Sequence, residues 1–150
     1  MGLGFELNQC RAAVFRRSMD DRIISGGCAC GAVRFEAAGE ALRTGICHCM
    51  DCRKSHASPF MVFSVFERSR VELSGELGTW LSKPWYERYF CLACGSRVAG
   101  VDTNSDEIEL PLGAFDDVGI FTPQYENWVI RREPWLTALQ VPQHLRDRTG

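Results

Sequence analysis

Seven of the eight cysteines in this chain fall in three tight clusters, and no other feature constrains its fold as strongly. The clusters are a C-x-C motif at Cys28 and Cys30, a C-x-C-x-x-C motif at Cys47, Cys49 and Cys52, and a C-x-x-C motif at Cys91 and Cys94. Two cysteine pairs make a closed four-thiolate zinc site, which leaves three cysteines for a second zinc ion with one open position. Closed sites stabilise folds and open sites carry out chemistry, so we expect one site of each kind.

Disulfides are the alternative use for so many cysteines, and the N-terminal sequence argues against them. Glu6, Asn8 and Arg11 interrupt its apolar residues, so it lacks the continuous apolar segment of a secretory signal peptide. A disulfide that closes a C-x-C motif is also strained. We therefore predict a reducing compartment, a cytoplasmic location and metal-bound cysteines.

The length and charge of the chain argue against some classes of function. The chain has 150 residues, enough for one domain with a modest core. Its net charge is -2 and its basic doublets are scattered, which argues against phosphate-driven binding of nucleic acid. No apolar run approaches the roughly 20 residues of a membrane span.

The pattern from residue 22 onward is typical of short strands separated by glycine turns, so we predict one mostly antiparallel all-β domain over residues 22–143. Strands are predicted in segments 33–38, 60–66 (buried on both faces), 97–101, 107–112 and 128–130, with an aromatic segment at 80–89 broken by Pro84 and a helical turn at 135–139. Residues 1–21, which carry Cys10, are predicted to be a flexible extension, and Met19 is a candidate start. Residues 144–150 are predicted to be a tail.

The C-x-x-C motif predicts a zinc knuckle. Gly95 follows Cys94 and permits the positive φ that such a turn requires. The second pair of ligands comes from Cys28 and Cys30 if the first and the late strands are neighbours, and the result is a structural site that ties together the ends of the β core.

Spacing alone leaves another partition open. In a zinc ribbon, Cys49 and Cys52 would pair with Cys91 and Cys94. The three cysteines left over would then be Cys28, Cys30 and Cys47.

The C-x-C-x-x-C cluster is compact enough for its three thiolates to bind one face of a zinc ion. Water, a substrate thiol or a histidine (His48 or His56) would complete the tetrahedron. Side chains alternate in an extended segment, so His48 should point away from the cysteines on either side of it. We therefore favour an open fourth position.

These motifs closely resemble the glutathione-dependent formaldehyde-activating enzyme family, which includes the centromere protein V group. The resemblance runs from about residue 22 to residue 143. It rests on segments 26–35, 47–54, 58–60, 90–96, 113–116 and 134–136.

The resemblance implies a β-tent fold, a zinc-stapled assembly of antiparallel sheets, and two zinc ions per chain, the second more readily lost. The structural zinc would be held by Cys28, Cys30, Cys91 and Cys94, and the catalytic zinc by Cys47, Cys49 and Cys52. The implied activity is condensation of formaldehyde with glutathione to S-hydroxymethylglutathione, classed as a carbon–sulfur lyase reaction.

Three thiolates weaken zinc as a Lewis acid, so we expect the open site to bind a substrate thiol as thiolate and add it to a small aldehyde. Arg53 and Lys54 follow this cluster and are candidates for binding the carboxylates of glutathione. His48 and His56 are candidate proton carriers.

Trp85, Tyr125 and Trp128 are candidate pocket walls. Two other functions remain open at this point: a thiol carrier without catalysis, and a zinc-stabilised interaction module.

Overall fold

The fold of this protein is built almost entirely from strands. The structure, a computed structural model, describes residues 22–148. Its strands are β1 (Ile23–Gly27), β2 (Arg34–Ala38), β3 (Arg43–Cys47), β4 (Met61–Glu67), β5 (Val71–Ser74), β6 (Leu77–Lys83), β7 (Tyr86–Cys91), β8 (Arg97–Asp102), β9 (Glu107–Pro111) and β10 (Glu126–Asn127). The α-helix of this described part is α1 (Met50–His56), and 3-10 turns lie at Arg68–Arg70, Leu112–Ala114 and Val129–Arg131.

The strands form two sheets. A three-stranded sheet has the order β1-β2-β5, and a seven-stranded sheet has the order β10-β3-β4-β9-β8-β7-β6. The short β10 runs parallel to β3, and the other described pairings are antiparallel. The prediction of an all-β fold is confirmed.

The main core lies between the two sheets. Ile24 and Phe35 from the smaller sheet pack in one buried cluster with Phe66 and Leu110 from the larger sheet. Phe115 closes this cluster, with its ring edge-on to Phe35 at 5.1 Å between centroids. In β2 the apolar side chains of Phe35 and Ala37, two positions apart, point to this core, as strand geometry requires.

The larger sheet also carries a buried cluster on its other face. Met61, Phe63 and Val65 of β4 pack there with Cys47 and Cys52, whereas the side chain of Phe66 belongs to the core between the sheets. The predicted strand over residues 60–66, buried on both faces, is confirmed as β4. The helix α1 contacts this strand and places its one buried residue, Cys52, against the sheet.

Two local predictions are wrong. The strand predicted at residues 128–130 is a left-handed residue, Trp128 (φ 59°, ψ 38°), followed by the 3-10 turn, and β10 ends one residue earlier. The helical turn predicted at residues 135–139 is a bend and coil, whereas α1 forms where no helix was predicted. A strand-like apolar triplet and a proline gave local signals that the packing of the C-terminal segment overrode.

The chain beyond β10 covers one edge of the larger sheet. Backbone N–H groups of Glu126 and Trp128 donate to the carbonyls of Pro142 and Arg146, at 3.0 Å each. Contacts to the domain therefore continue past residue 143, into the predicted tail. The predicted extension 1–21, with Cys10 and Met19, lies outside the described residues. Among the described helices, none is long and apolar enough to span a membrane.

Candidate functional site

Four cysteines meet where the two sheets come together. Cys28 and Cys30 lie just after β1 of the smaller sheet, whereas Cys91 ends β7 of the larger sheet and Cys94 lies in the turn before β8. Their four sulfurs lie within 4.8 Å of one another. The first and late strands are thus neighbours across the gap between sheets rather than through a shared hydrogen-bond ladder.

The spacing of these sulfurs fits a tetrahedral metal ion. Cys28 Sγ lies 3.5 Å from Cys30 Sγ, which lies 3.8 Å from Cys91 Sγ. Zinc–sulfur bonds of about 2.3 Å would separate two sulfurs by about 3.8 Å in a tetrahedron. Gly95 has φ +74°, as the knuckle motif predicts. Hydrogen bonds with the Ser96 side chain and backbone lower the pKa of Cys94 to about 5, which favours a metal-binding thiolate.

The second group contains three cysteines on a strand-to-helix turn. Cys47 ends β3, Cys49 is the N-cap of α1, and Cys52 lies in the first turn of that helix. The backbone N–H of Cys52 donates to Cys49 Sγ at 3.4 Å. The three sulfurs lie within 4.8 Å of one another, and no histidine or carboxylate of the described residues joins them in this group. Residues from one short segment can therefore supply three ligands and leave a fourth position free.

Proton sharing gives this cluster thiolate character. Hydrogen bonds from Cys47 and Cys52 lower the pKa of Cys49, and the positive charge of Arg88 adds to that effect. The pKa of Cys47 is raised, because its thiol is the donor in the same hydrogen bonds and is buried. When a metal ion binds, the three thiols release their remaining protons. Three thiolates are a suitable donor set for zinc.

A cavity of about 410 Å³ opens beside the three-cysteine cluster. Its walls include the three cysteines together with Met50, Asp51, Phe63, Ser82, Lys83, Trp85, Tyr86, Arg88, Asp102, Glu109, Asn127, Trp128, Arg131 and Asp147. Two of the three aromatic residues predicted as pocket walls, Trp85 and Trp128, line it. The third, Tyr125, packs in the buried cluster beneath it.

Three polar residues of the cavity were not anticipated from the sequence. The Tyr86 hydroxyl donates to Glu109 Oε2, and the Arg88 guanidinium lies over the Tyr86 ring at 4.7 Å. Arg88 also donates to Cys52 Sγ, at 3.7 Å from Nη2. Burial raises the pKa of Glu109. In the sequence, the one indication of these residues is the presence of charged side chains among apolar neighbours in predicted strands. That pattern is too common to locate a site.

His48, between two cysteines of the cluster, points into the protein interior. Its side chain is fully buried, and Nε2 lies 2.9 Å from Glu126 Oε2. Glu126 also accepts hydrogen bonds from Arg132 and from the backbone N–H of Leu139. His48 thus connects the cysteine turn to the C-terminal segment and does not line the cavity among the described residues.

The other charged candidates lie elsewhere. Arg53 pairs with Glu133 and donates to the carbonyl of Pro59 at 2.9 Å, and Lys54 is exposed. Neither is among the described residues that line the cavity, so their role in substrate binding stays a prediction. His56 lines a different cavity, where burial lowers its pKa to about 4 with help from Arg97 and Arg88.

Comparison with known proteins identifies the family. A family model described as glutathione-dependent formaldehyde-activating enzyme matches residues 23–131. The chain therefore belongs to this family, as the resemblance of its cysteine motifs indicated.

The chain is also similar to a curated protein and to a solved structure. A Schizosaccharomyces pombe protein named as an uncharacterized lyase is 35% identical over 79 residues, which cover 53% of this chain and 58% of that protein. The crystal structure of a Rhodobacter sphaeroides protein superposes with a TM-score of 0.54 at 21% identity, covering 65% of this chain and 92% of that one. The second likeness concerns the fold alone.

Proposed function

We propose that this protein is a zinc-dependent carbon–sulfur lyase-type enzyme of the S-(hydroxymethyl)glutathione synthase kind. Its substrates are a small thiol such as glutathione and a small aldehyde such as formaldehyde. The observation that carries the proposal is the group of three cysteine sulfurs within 4.8 Å of one another at the wall of a cavity of about 410 Å³. Membership of the family supports the choice of substrates.

The two cysteine groups have different roles in this proposal. Cys28, Cys30, Cys91 and Cys94 would hold a closed structural zinc, whereas Cys47, Cys49 and Cys52 would hold a zinc with one position facing the cavity. When bound, the second zinc lowers the pKa of a thiol in that position, so the thiol is present as thiolate at neutral pH.

The chain's residues orient the reaction. The cavity holds the thiol and the aldehyde side by side, which makes their encounter effectively intramolecular. The thiolate sulfur attacks the aldehyde carbon, so a carbon–sulfur bond forms while the carbonyl π pair moves to oxygen. That oxygen then takes up the proton that the thiol released, and the reverse reaction breaks the same carbon–sulfur bond.

A buried acid–hydroxyl pair in the cavity suits the transfer of that proton. Tyr86 donates its hydroxyl hydrogen to Glu109, and burial raises the pKa of the Glu109 carboxyl above its usual value, the direction that suits a group that exchanges protons with a substrate.

The test is the rate of S-hydroxymethylglutathione formation by the zinc-loaded full chain, measured by NMR exchange with ¹³C-labelled formaldehyde against the uncatalysed background. We expect acceleration that Cys49→Ser abolishes while its circular dichroism spectrum is unchanged. Cys10→Ser is the matched control, since it makes the same atomic change outside the predicted ligand set, and it should keep full activity.

Three results would overturn the proposal. Glutathione binding without any rate above background would make the protein a thiol carrier, and no binding would leave a zinc-stabilised module. Full activity in Cys49→Ser would remove the three-cysteine site from the reaction.

A further inference from the structure

A buried guanidinium lies against the three-cysteine cluster. Arg88 is 4% exposed, and its Nη2 donates to Cys52 Sγ at 3.7 Å. Its Nε donates to Ser82 Oγ at 2.9 Å, and the face of the guanidinium covers the Tyr86 ring. Among the described residues no carboxylate forms an ion pair with Arg88. The sulfur is thus the closest group that can carry a compensating negative charge.

A second, half-buried cation, Arg97, lies on the neighbouring strand. Arg97 donates from Nη2 to the carbonyl of Ala99 at 3.3 Å, whereas its Nε and Nη1 are buried without a hydrogen-bond partner. Burial, together with the positive charge of Arg88, lowers the pKa of Arg97 to about 10. Two guanidiniums that are desolvated and repel each other are stabilised by negative charge nearby.

Among the described residues, no acidic side chain of the cavity wall forms an ion pair with either arginine. Glu109 accepts the Tyr86 hydroxyl, and its pKa is raised by burial, so the environment disfavours its ionised form. Asp51 at the cavity wall is paired with Lys83 at 3.1 Å. The thiolates of the cluster are therefore the main counter-charge, and their total depends on what occupies the fourth ligand position.

The net charge of the zinc site depends on whether the fourth ligand is neutral or anionic. Three thiolates around a divalent zinc carry one net negative charge, which a neutral ligand leaves unchanged. A thiolate in the fourth position adds a second negative charge, which the two guanidiniums match. Because the local dielectric constant is low, this second charge is worth more here than at the surface.

We propose that Arg88, reinforced by Arg97, makes the three-cysteine site selective for an anionic fourth ligand, a thiolate, over a neutral one. This inference rests on the proposed function in that it takes the cluster to hold zinc. Both arginines are specificity-determining residues that act through the cluster, and they favour the thiol substrate over neutral nitrogen donors by strengthening thiolate binding.

The test compares two small ligands on the cobalt-substituted full chain. The affinities for 2-mercaptoethanol and for imidazole are measured by titration of the cobalt absorption bands, in the native chain and in Arg88→Gln. We expect about a tenfold loss of thiol affinity and a change in imidazole affinity within about twofold, because one unit charge in a low-dielectric site acts on the anion. Arg88→Lys, which keeps the charge, should retain most of the thiol affinity.

Arg97→Gln keeps the inference testable if Arg88→Gln does not fold, and it should show a smaller loss with the same selectivity. Equal losses for both ligands, or an unchanged thiol affinity in every folded variant, would overturn the inference. Because this experiment measures binding, its outcome is independent of the activity assay. Selective thiol binding without formaldehyde turnover would contradict the proposed enzyme activity and would leave this inference standing.

Discussion

Gly100 shows how the absence of one methyl group shapes the cavity. A Cβ atom at this position would lie 2.3 Å from the Tyr86 hydroxyl oxygen. The Tyr86 side chain therefore crosses β8 at the glycine, which brings its hydroxyl to Glu109 on β9. A single residue on the strand between them thus decides whether this buried pair can form.

We predict that Gly100→Ala destabilises the protein by about 1–3 kcal/mol, because the ring of Tyr86 must move and Glu109 loses its donor. Urea unfolding of the zinc-loaded chain measures the change. Gly113→Ala is the matched control, since nothing lies within 4 Å of its added Cβ and its φ is not positive. If Gly100→Ala is as stable as the control, the Tyr86 side chain can adopt another conformation without loss of stability, and the prediction is wrong.

The buried His48–Glu126 contact is a second determinant at the residue scale. We predict that His48→Ala lowers the free energy of unfolding by about 2 kcal/mol or more, since Glu126 stays buried with one donor fewer and a cavity is left. His48→Gln keeps a donor of similar reach and should lose less. Equal losses in the two variants, measured by urea unfolding, would contradict a contribution of the donated hydrogen bond to Glu126.

At the scale of elements, the helix α1 positions two of the three cysteines. Cys49 caps its N-terminus and Cys52 is its one buried residue. The residue after the helix, Ala57, adopts the left-handed conformation with φ 47° and ψ 41°. The backbone N–H of Ser58 donates back to the carbonyl of Arg53 at 3.1 Å. A left-handed position directly after a helix is most often occupied by glycine.

We predict that Ala57→Gly stabilises the protein by about 0.5–1 kcal/mol, because it relieves the cost of a left-handed alanine. The thermal midpoint of the zinc-loaded chain reports the change. Lys54→Gly, the same kind of substitution at an exposed position inside α1, should instead destabilise by about 1 kcal/mol. A loss of stability in Ala57→Gly would contradict the proposed strain.

At the scale of the molecule, the four-cysteine group joins two sheets that otherwise meet through apolar packing. Cys28 and Cys30 belong to the end of the smaller sheet, and Cys91 and Cys94 to the larger one. Metal bound there would act as a cross-link between layers, and its binding energy would be part of the folding energy.

We predict that Cys94→Ser loses one metal ion per chain and lowers the thermal midpoint by more than 10 °C, roughly the effect of a few kcal/mol in a domain of this size. Native mass spectrometry counts the metal. Cys49→Ser should also lose one metal ion, but with a much smaller shift, because its group lies within one strand-to-helix turn. Equal shifts would mean that both groups are structural.

Local sequence patterns predicted much of this molecule. The C-x-x-C-Gly motif predicted the turn and the positive φ of Gly95, and the apolar run predicted β4 with both faces buried. These features depend on neighbours within a few residues. The strand predicted at 128–130 failed because Trp128 is held left-handed by contacts with residues 146–147, a segment distant in sequence.

The sequence by itself determined the clusters of cysteines and the all-β class, because motif spacing and side-chain alternation are local properties of the chain. Tertiary structure alone decided which cysteines meet, since two partitions satisfy the same spacing and only sheet packing brings Cys28 to Cys91. It also decided that Arg88 faces Cys52, a contact between residues 36 positions apart. Such contacts arise from strand register and layer packing, which no short window of sequence encodes.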